Sequence, residues 1–423
     1  MTVDLRLGDC RDVLKTLASN SIDSIVTDGP YELGFMGKSW DNTGVVNDKT
    51  MWAECLRVLK PGGYLLSFGG SRTYRRMACA IEDAGFEIRD QIMWCYAQGF
   101  PKSLNIGKAV DKLQGNEREV VGNNPNFRPV SGKEGYLGQS NFRQTDGMSV
   151  STKGTSEWEG WGTALKPAVE PICMARKPLE KGLTVAESCL KWGVGGINID
   201  ACRVGIEERT YCGSGAQPNK LNNHAKGDTG IGLMDGSGKH MSFTVNGRFP
   251  ANFIHDGSEE VVDLFPNTQP SKGGYVRKTG DSQFFDQMGD GNTNPPDGLN
   301  DSGSAARFFY CAKASTSERS SGLLNKNFHP TVKPVKLMEY LVTMVTPKGG
   351  TVLDPFMGSG TTGVACKKLD FNFIGCEMSA EYMEIAKARI GADVVNTQDS
   401  SDVADNTVPV KSSGYHQFNL FAD

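Results

Sequence analysis

One block near the end of this chain constrains its fold more than any other: Val352-Leu353-Asp354-Pro355-Phe356-Met357-Gly358-Ser359-Gly360-Thr361-Thr362-Gly363. An apolar, strand-like run breaks into glycines and then resumes with helical spacing. Gly358, Gly360 and Gly363 have the Gly-x-Gly-x-x-Gly spacing, and an acid, Glu377, follows at the end of the next strand-like run, about 20 residues on. A strand, a tight loop, a helix and a second strand in that order require neighbouring parallel strands. The chain is therefore committed to an α/β fold with a mostly parallel central sheet. The loop is where a site for an adenosine cofactor would be built, since Glu377 can accept both ribose hydroxyls and the helix N-terminus favours an anion. No Lys follows the glycines, which excludes a triphosphate-cradling loop. Taken alone, the spacing leaves an NAD-dependent oxidoreductase open.

The same texture fills the first hundred residues. Strands are predicted at Val3–Leu7, Ile22–Thr27, Tyr64–Phe68 and Ile88–Tyr96, and helices at Arg11–Leu17, Lys49–Leu59 and Arg72–Ala84, with a turn at Pro61-Gly62-Gly63. Residues 115–165, rich in Gly, Asn, Ser and Gln, read as a mobile loop, and Val169–Ala175 as one more sheet strand. Residues 178–307 are long and irregular and read as an insert. The α/β pattern then returns, with strands at Phe308–Ala312, Gly350–Leu353 and Phe371–Cys376 and helices at Val335–Val345, Gly360–Leu369 and Ala380–Arg389.

Composition narrows the functional classes. None of the 11 cysteines stands in a Cys-x-x-Cys pair, which argues against a zinc site and a disulfide framework, so no metal is implied. No run approaches the roughly 18 apolar residues of a membrane span, and the opening residues resemble no signal peptide; a cytoplasmic protein is expected. The net charge of −4 looks wrong for a nucleic-acid partner, but residues 391–423 carry five Asp and one Lys and so account for all of it. The rest of the chain is balanced, and Arg72, Arg75, Arg76 and Lys102 are candidate phosphate contacts, with a solvated helix face as the alternative.

A second motif decides between cofactor classes. Ser24-Ile25-Val26-Thr27-Asp28-Gly29-Pro30-Tyr31 runs a buried strand into an Asp-x-Pro-Tyr turn. An exocyclic base amine is a poor nucleophile, its lone pair being delocalised into the ring, so a site that alkylates it must accept its hydrogens and tolerate positive charge on nitrogen. The Asp28 carboxylate and the Pro30 carbonyl are two such acceptors, and Tyr31 can stack on the target. This motif resembles the Asp-Pro-Pro-Tyr motif of S-adenosylmethionine-dependent DNA amino-methyltransferases, with Gly29 for the first Pro. Asp354-Pro355-Phe356-Met357-Gly358-Ser359-Gly360-Thr361-Thr362 resembles that family's Asp-Pro-Phe-x-Gly-Ser-Gly-Thr-Thr, and His329-Pro330-Thr331-Val332-Lys333-Pro334 its His-Pro-Thr-x-Lys-Pro.

The resemblance implies a Rossmann-like methyltransferase binding S-adenosylmethionine through Asp354, Phe356, Gly358, Ser359, Gly360 and Thr361. Glu377 would hold the ribose, His329 and Thr331 would approach from the side, and Lys333 would offer a cation to the cofactor carboxylate. The reactive motif precedes the cofactor motif, the order of the circularly permuted β class, bacterial or phage type. In that order the strand leading to Asp9 and Cys10 lies beside the one ending at Glu377, which puts both residues at the cofactor's adenine; Asp9 is equally suited to capping the next helix. Double-stranded DNA is the implied partner, with the target base flipped into a pocket walled by Phe35 and Trp40. An acid at the first motif position favours adenine N6, with cytosine N4 the alternative; a catalytically silent DNA-binding protein also stays open because of Gly29. No cysteine follows a proline, which disfavours a covalent cytosine-C5 mechanism.

The expected organisation is a catalytic half at 1–114, a mobile loop at 115–165, a returning strand at 166–177, a target-recognition insert at 178–307, a cofactor half at 308–392 and a disordered acidic tail at 393–423. Near the tail's end Gln417-Phe418-Asn419-Leu420-Phe421 resembles the peptide that tethers replication proteins to the bacterial sliding clamp, through Gln417, Leu420 and Phe421. Monomer and homodimer both stay open.

Overall fold

The computed structural model describes residues 1–34, 39–97, 99, 103–123, 150–212, 242–270, 302–312 and 332–392, with the backbone alone at 39–40, 206–212, 242–245 and 392. The chain divides into two compact units, Met1–Ala97 with Val169–Asp423, and Gln98–Ala168.

The larger unit is built on a nine-stranded sheet. Its strands in chain order are β1 Val3–Leu7, β2 Ile22–Thr27, β3 Leu59–Phe68, β4 Glu87–Cys95, β5 Val169–Arg176, β6 Phe253–His255, β7 Tyr310–Cys311, β8 Thr351–Asp354 and β9 Asn372–Glu377. Their spatial order is β1-β9-β8-β2-β3-β5-β4-β6-β7. β5 runs antiparallel to both neighbours and every other pairing is parallel. This is the expected Rossmann-like, mostly parallel α/β fold. The permutation is visible in it: β1, from the start of the chain, lies beside β9, and the Gly8 N–H donates to the Glu377 carbonyl at 2.9 Å.

Alternate residues of the central strands feed two cores, as a sheet covered on both faces requires. Val26, Leu66, Phe68, Met174 and Val352 face one side, with Leu337 and Leu341 of helix Val335–Val345 and Ala365 of helix Thr361–Lys368. Ile25, Leu65, Cys173 and Leu353 face the other, with Leu14, Trp52 and Ile81 from the first three helices. Each of these strand residues is buried.

Several boundaries differ from expectation. Helix Lys49–Val58 passes straight into β3, and Pro61-Gly62-Gly63 is no free turn but an irregularity within the strand. Gly62 supplies φ +87°, and a Cβ at Gly63 would come within 2.9 Å of the Asp23 carbonyl, so both positions need glycine. Phe308–Ala312 is not one strand: a 3-10 turn, Ala305–Phe308, leads to the two-residue β7. Residues 178–307 are not wholly an insert, because β6 pairs with β4 in the central sheet.

The smaller unit holds helix Ile106–Gln114 and an antiparallel hairpin, Glu119–Asn123 with Val150–Lys153. Arg118 ties them together, pairing with Asp111 of the helix and with Glu159. A division between 114 and 115 therefore cuts through a cooperative structure, and the described parts of 115–165 are organised rather than a plain loop. Among the described residues no helix is long and apolar enough to cross a membrane.

Candidate active site

β2 and β8 are parallel neighbours, so the Asp28 turn and the glycine loop leave the sheet at the same edge, although 326 positions separate Asp28 from Asp354. Thr27, the last residue of β2, donates its hydroxyl to Asp354 Oδ1 at 2.6 Å. Edges formed by the carboxyl ends of parallel strands are where open α/β sheets bind ligands.

Asp354 does not line an open loop. Its carboxylate is buried and also accepts the Phe356 N–H at 3.1 Å and the Thr362 hydroxyl at 2.7 Å. Burial pushes its pKa up to about 6 against those bonds. It shapes the glycine loop from behind. Gly358 and Gly360 adopt φ +54° and +81°, which let the chain double back before the helix. A Cβ at Gly363 would lie 2.5 Å from Ile390 and 2.7 Å from Phe373, so the third glycine lets the helix sit against its neighbours.

Ser359 and Thr361 are buried too, their hydroxyls 2.9 and 3.1 Å from Arg389 Nη1, which also donates to the Ser359 carbonyl at 2.6 Å. Arg389 escaped the sequence reading; its signal is a guanidinium on the buried stripe of a helix beside Ile390. Glu377 Oε2 accepts the Gly358 N–H at 2.8 Å and Oε1 the Ser379 N–H at 2.7 Å. Burial raises its pKa, opposed by those N–H groups. Each oxygen keeps a lone pair for a diol.

Asp9 caps helix Cys10–Lys15 through the Arg11 N–H at 2.9 Å, and Arg11's side chain holds its pKa down. Cys10 is buried, its thiol pushed up to about 12 by burial, so it stays protonated.

The Asp28 turn is held more firmly than a glycine would suggest. A Cβ at residue 29 would lie 2.9 Å from Val46 and 3.0 Å from Phe356, so Gly29 is required by the close seating of Phe356 on the turn. Beyond Pro30, the buried Asp41 accepts the N–H groups of Tyr31 at 2.7 Å, Glu32 at 3.0 Å and Leu33 at 3.3 Å. Thr73 donates to the Tyr31 carbonyl at 2.6 Å. Among the described residues nothing donates to the Pro30 carbonyl.

Lys333 departs from expectation. Its side chain is 7% exposed, with Nζ 2.6 Å from Asp28 Oδ2, 3.1 Å from the Tyr31 hydroxyl and 3.2 Å from Glu170 Oε2. The rings of Phe68, Tyr31 and Trp94 surround the ammonium at 4.9, 5.3 and 6.0 Å. It therefore serves the reactive motif and is not free for a cofactor carboxylate.

Glu170 also accepts the hydroxyls of Tyr31 at 2.8 Å and Tyr96 at 3.1 Å. Its sequence signal is the one acid in β5, a strand apolar from Pro171 to Ala175. Burial raises the Asp28 pKa, with Lys333 pulling down and Glu170 pushing up. Burial also opposes the Lys333 charge, but Asp28 and Glu170 together outweigh it and raise that pKa. The Tyr31 phenol is raised well above its ordinary value by burial and both carboxylates, so it donates to Glu170 rather than ionising. Asp28 Oδ1 is buried without a hydrogen-bond partner among the described residues.

Phe35, Lys102, His329, Thr331, Gln417, Leu420, Phe421 and the Trp40 side chain lie outside the described residues. Arg72, Arg75 and Arg76 are exposed where helix Tyr74–Asp83 begins, Arg75 turning back to the Arg72 carbonyl at 2.8 Å.

A half-buried carboxylate whose Oδ1 is buried and unpartnered among the described residues thus stands at the edge that carries the glycine loop. The family model described as DNA methylase matches residues 22–204 and 265–388, both motifs included. The chain belongs to the DNA methylase family. The chain is similar to the type II methyltransferase M2.DpnII of Streptococcus pneumoniae, with 48% identity over 65 residues, 15% of this chain and 24% of that one. Matches to the first three curated relatives span about a quarter of their lengths. Similarity to M.HindIII of Haemophilus influenzae is weaker but broad, 22% identity over 90% of this chain and 93% of the relative. Among solved structures, a DNA modification methylase of Thermus thermophilus complexed with S-adenosyl-L-methionine shares 16% identity over 93% of this chain and 96% of that one, at a TM-score of 0.40. The cytosine-N4-specific PvuII DNA methyltransferase shares 14% over 95% and 89%, at 0.42. Such scores are too low to bear on the site.

Proposed function

We propose that the methylase transfers a methyl group from S-adenosylmethionine to the exocyclic amine of a flipped base in double-stranded DNA, the base being adenine and the atom N6. The observation that carries this reading is the shared edge: Asp28, with an unused buried oxygen, and the glycine loop leave adjacent parallel strands.

The residues fit the cofactor. Glu377 keeps lone pairs toward a ribose diol, the Gly358–Gly360 backbone turns with no side chain in the way, and Arg389 and Asp354 fix the loop from behind. S-adenosylmethionine, when bound, supplies an electrophilic methyl group on a sulfonium. Asp28 Oδ1 and the Pro30 carbonyl accept the two amine hydrogens, turning the nitrogen lone pair toward that methyl. The carboxylate then stabilises the positive charge that develops on nitrogen. Extrusion of the base from the duplex costs a few kcal/mol, offset by stacking and edge hydrogen bonds.

Adenine is favoured by the acid at position 28. Mass spectrometry of nucleosides from DNA methylated in vitro tests it: N6-methyladenine supports the reading, and N4-methylcytosine replaces it with the cytosine alternative. Residues 178–307 are proposed to read the target sequence. The tail peptide Gln417–Phe421 is proposed to bind the sliding clamp, and absence of binding to purified clamp at high peptide concentration would dispose of that.

A further inference from the structure

Two carboxylates share one buried ammonium beside the reactive turn, and no motif explains the second carboxylate. Lys333 Nζ contacts Asp28 Oδ2, Glu170 Oε2 and the Tyr31 hydroxyl, which matches its three N–H bonds. Glu170 is itself fixed by the Tyr31 and Tyr96 hydroxyls. Counted as charges, Asp28 and Lys333 alone cancel. A neutral pair would offer little to a nitrogen that becomes cationic, and Asp28 would be spent on its lysine. Glu170 restores one net negative charge, and its pull on Lys333 competes with that of Asp28.

We infer that Glu170 and Lys333 are positioning residues for methyl transfer: Lys333 holds Asp28 ionised through Oδ2, while Glu170 draws on the same ammonium and keeps the cluster anionic, so that Oδ1 stays free to accept a hydrogen bond from the substrate amine. The inference rests on the amine-methylation reading. It goes beyond it by assigning two residues that act through Asp28. The geometry supports a division of labour. Lys333 takes Oδ2 and stabilises the carboxylate against burial, leaving Oδ1, which is buried and unpartnered. Glu170 keeps the cluster anionic. The charged and titratable groups facing Asp28 are Lys333 from the segment before helix Val335–Val345, Glu170 from β5, Tyr31 from its own turn, Tyr96 after β4, and Asp354 from β8.

Two substitutions should act in opposite directions on one group. Removing the ammonium with Lys333→Met leaves Asp28 buried beside a like charge, so its titration moves up by about one to three pH units. Glu170→Gln keeps an acceptor for the tyrosines but removes a like charge, so the titration moves down. The acid limb of kcat against pH should follow, shifting up in the first variant and down in the second, with kcat reduced in both. A scaffold role would lower activity in both without opposite shifts.

The measurement is made twice: as kcat–pH profiles with labelled S-adenosylmethionine and DNA, and as the pH titration of the Asp28 carboxyl carbon-13 resonance in DNA-free protein, assigned by its loss in Asp28→Asn. Opposite displacements of the resonance establish the pair. Displacements in one direction, or none, overturn it whether or not the protein methylates DNA. If the wild type transfers no methyl to any DNA while the resonance moves as described, the functional reading falls and the charge arrangement stands.

Discussion

Gly29 replaces a proline of the family motif, and its surroundings say what reversing that change would do. Its φ lies outside the left-handed range, so alanine is allowed by the backbone and only space is at issue. A Cβ there would stand 2.9 Å from Val46 Cγ1, 3.0 Å from Phe356 Cδ2 and 3.3 Å from Phe356 Cε2. Neither neighbour retreats easily. Val46 is 3% exposed, and Phe356 packs edge-on against the fully buried Trp52 at 6.3 Å between centroids. Inserting one carbon into such packing costs about 1–3 kcal/mol, so Gly29→Ala should lower stability by that amount in chemical denaturation. The proline ring adds two further carbons, and Gly29→Pro should cost more, although it restores the motif. Phe356 joins the turn to the glycine loop, so methyl transfer should fall as well. Val46→Ala removes the nearest obstructing atom, and combined with Gly29→Ala it should show a favourable coupling of roughly 0.5–3 kcal/mol. Full stability and activity in Gly29→Ala, with no coupling to Val46→Ala, would refute the steric account.

Two more outcomes follow from the glycine loop. Asp354 has a folded pKa of about 6 against an ordinary 3.8, so the folded state binds its proton more tightly than the unfolded chain. The associated stability is fully present below about pH 4 and is lost as pH rises through about 6, some 3 kcal/mol in all; urea denaturation of Asp354→Asn should lack this dependence, and an unchanged pH slope would contradict the assignment. Arg389→Met removes charge-assisted bonds to Ser359 and Thr361 and should cost about 1.5–3 kcal/mol while weakening S-adenosylmethionine binding in calorimetry, whereas Lys387→Met, an exposed neighbour on the same helix, should do neither.

Much of this was legible in the sequence because parallel strands buried on both faces are apolar runs, and because the glycine and Asp-x-Pro-Tyr motifs are local. The α/β class followed from them, and the adjacency of β1 and β9 and the meeting of the Asp28 turn with the glycine loop followed from the resemblance to a permuted family. What escaped reading depends on contacts between residues far apart in sequence. Glu170, Asp41 and Arg389 are single polar residues whose meaning appears only when β5, the turn and the last helix converge. Lys333 was read from the segment it belongs to, and its actual partners lie 305 and 163 positions away in sequence. Gly29 leaves a catalytically silent protein open in the sequence because what holds its turn, the Asp41 cage and the Phe356 ring, is tertiary. The 114/115 boundary failed for a similar reason, since Arg118 bonds across it.

The central claim is that residues from the two ends of the chain make one methyl-transfer site. Transfer of labelled methyl from S-adenosylmethionine to DNA, measured for the wild type and Asp28→Asn alongside cofactor affinity, tests it most directly. The account predicts that the wild type labels DNA while Asp28→Asn loses roughly 10²–10³-fold in rate and binds the cofactor as before. An Asp28→Asn enzyme that methylates DNA at the wild-type rate would contradict it.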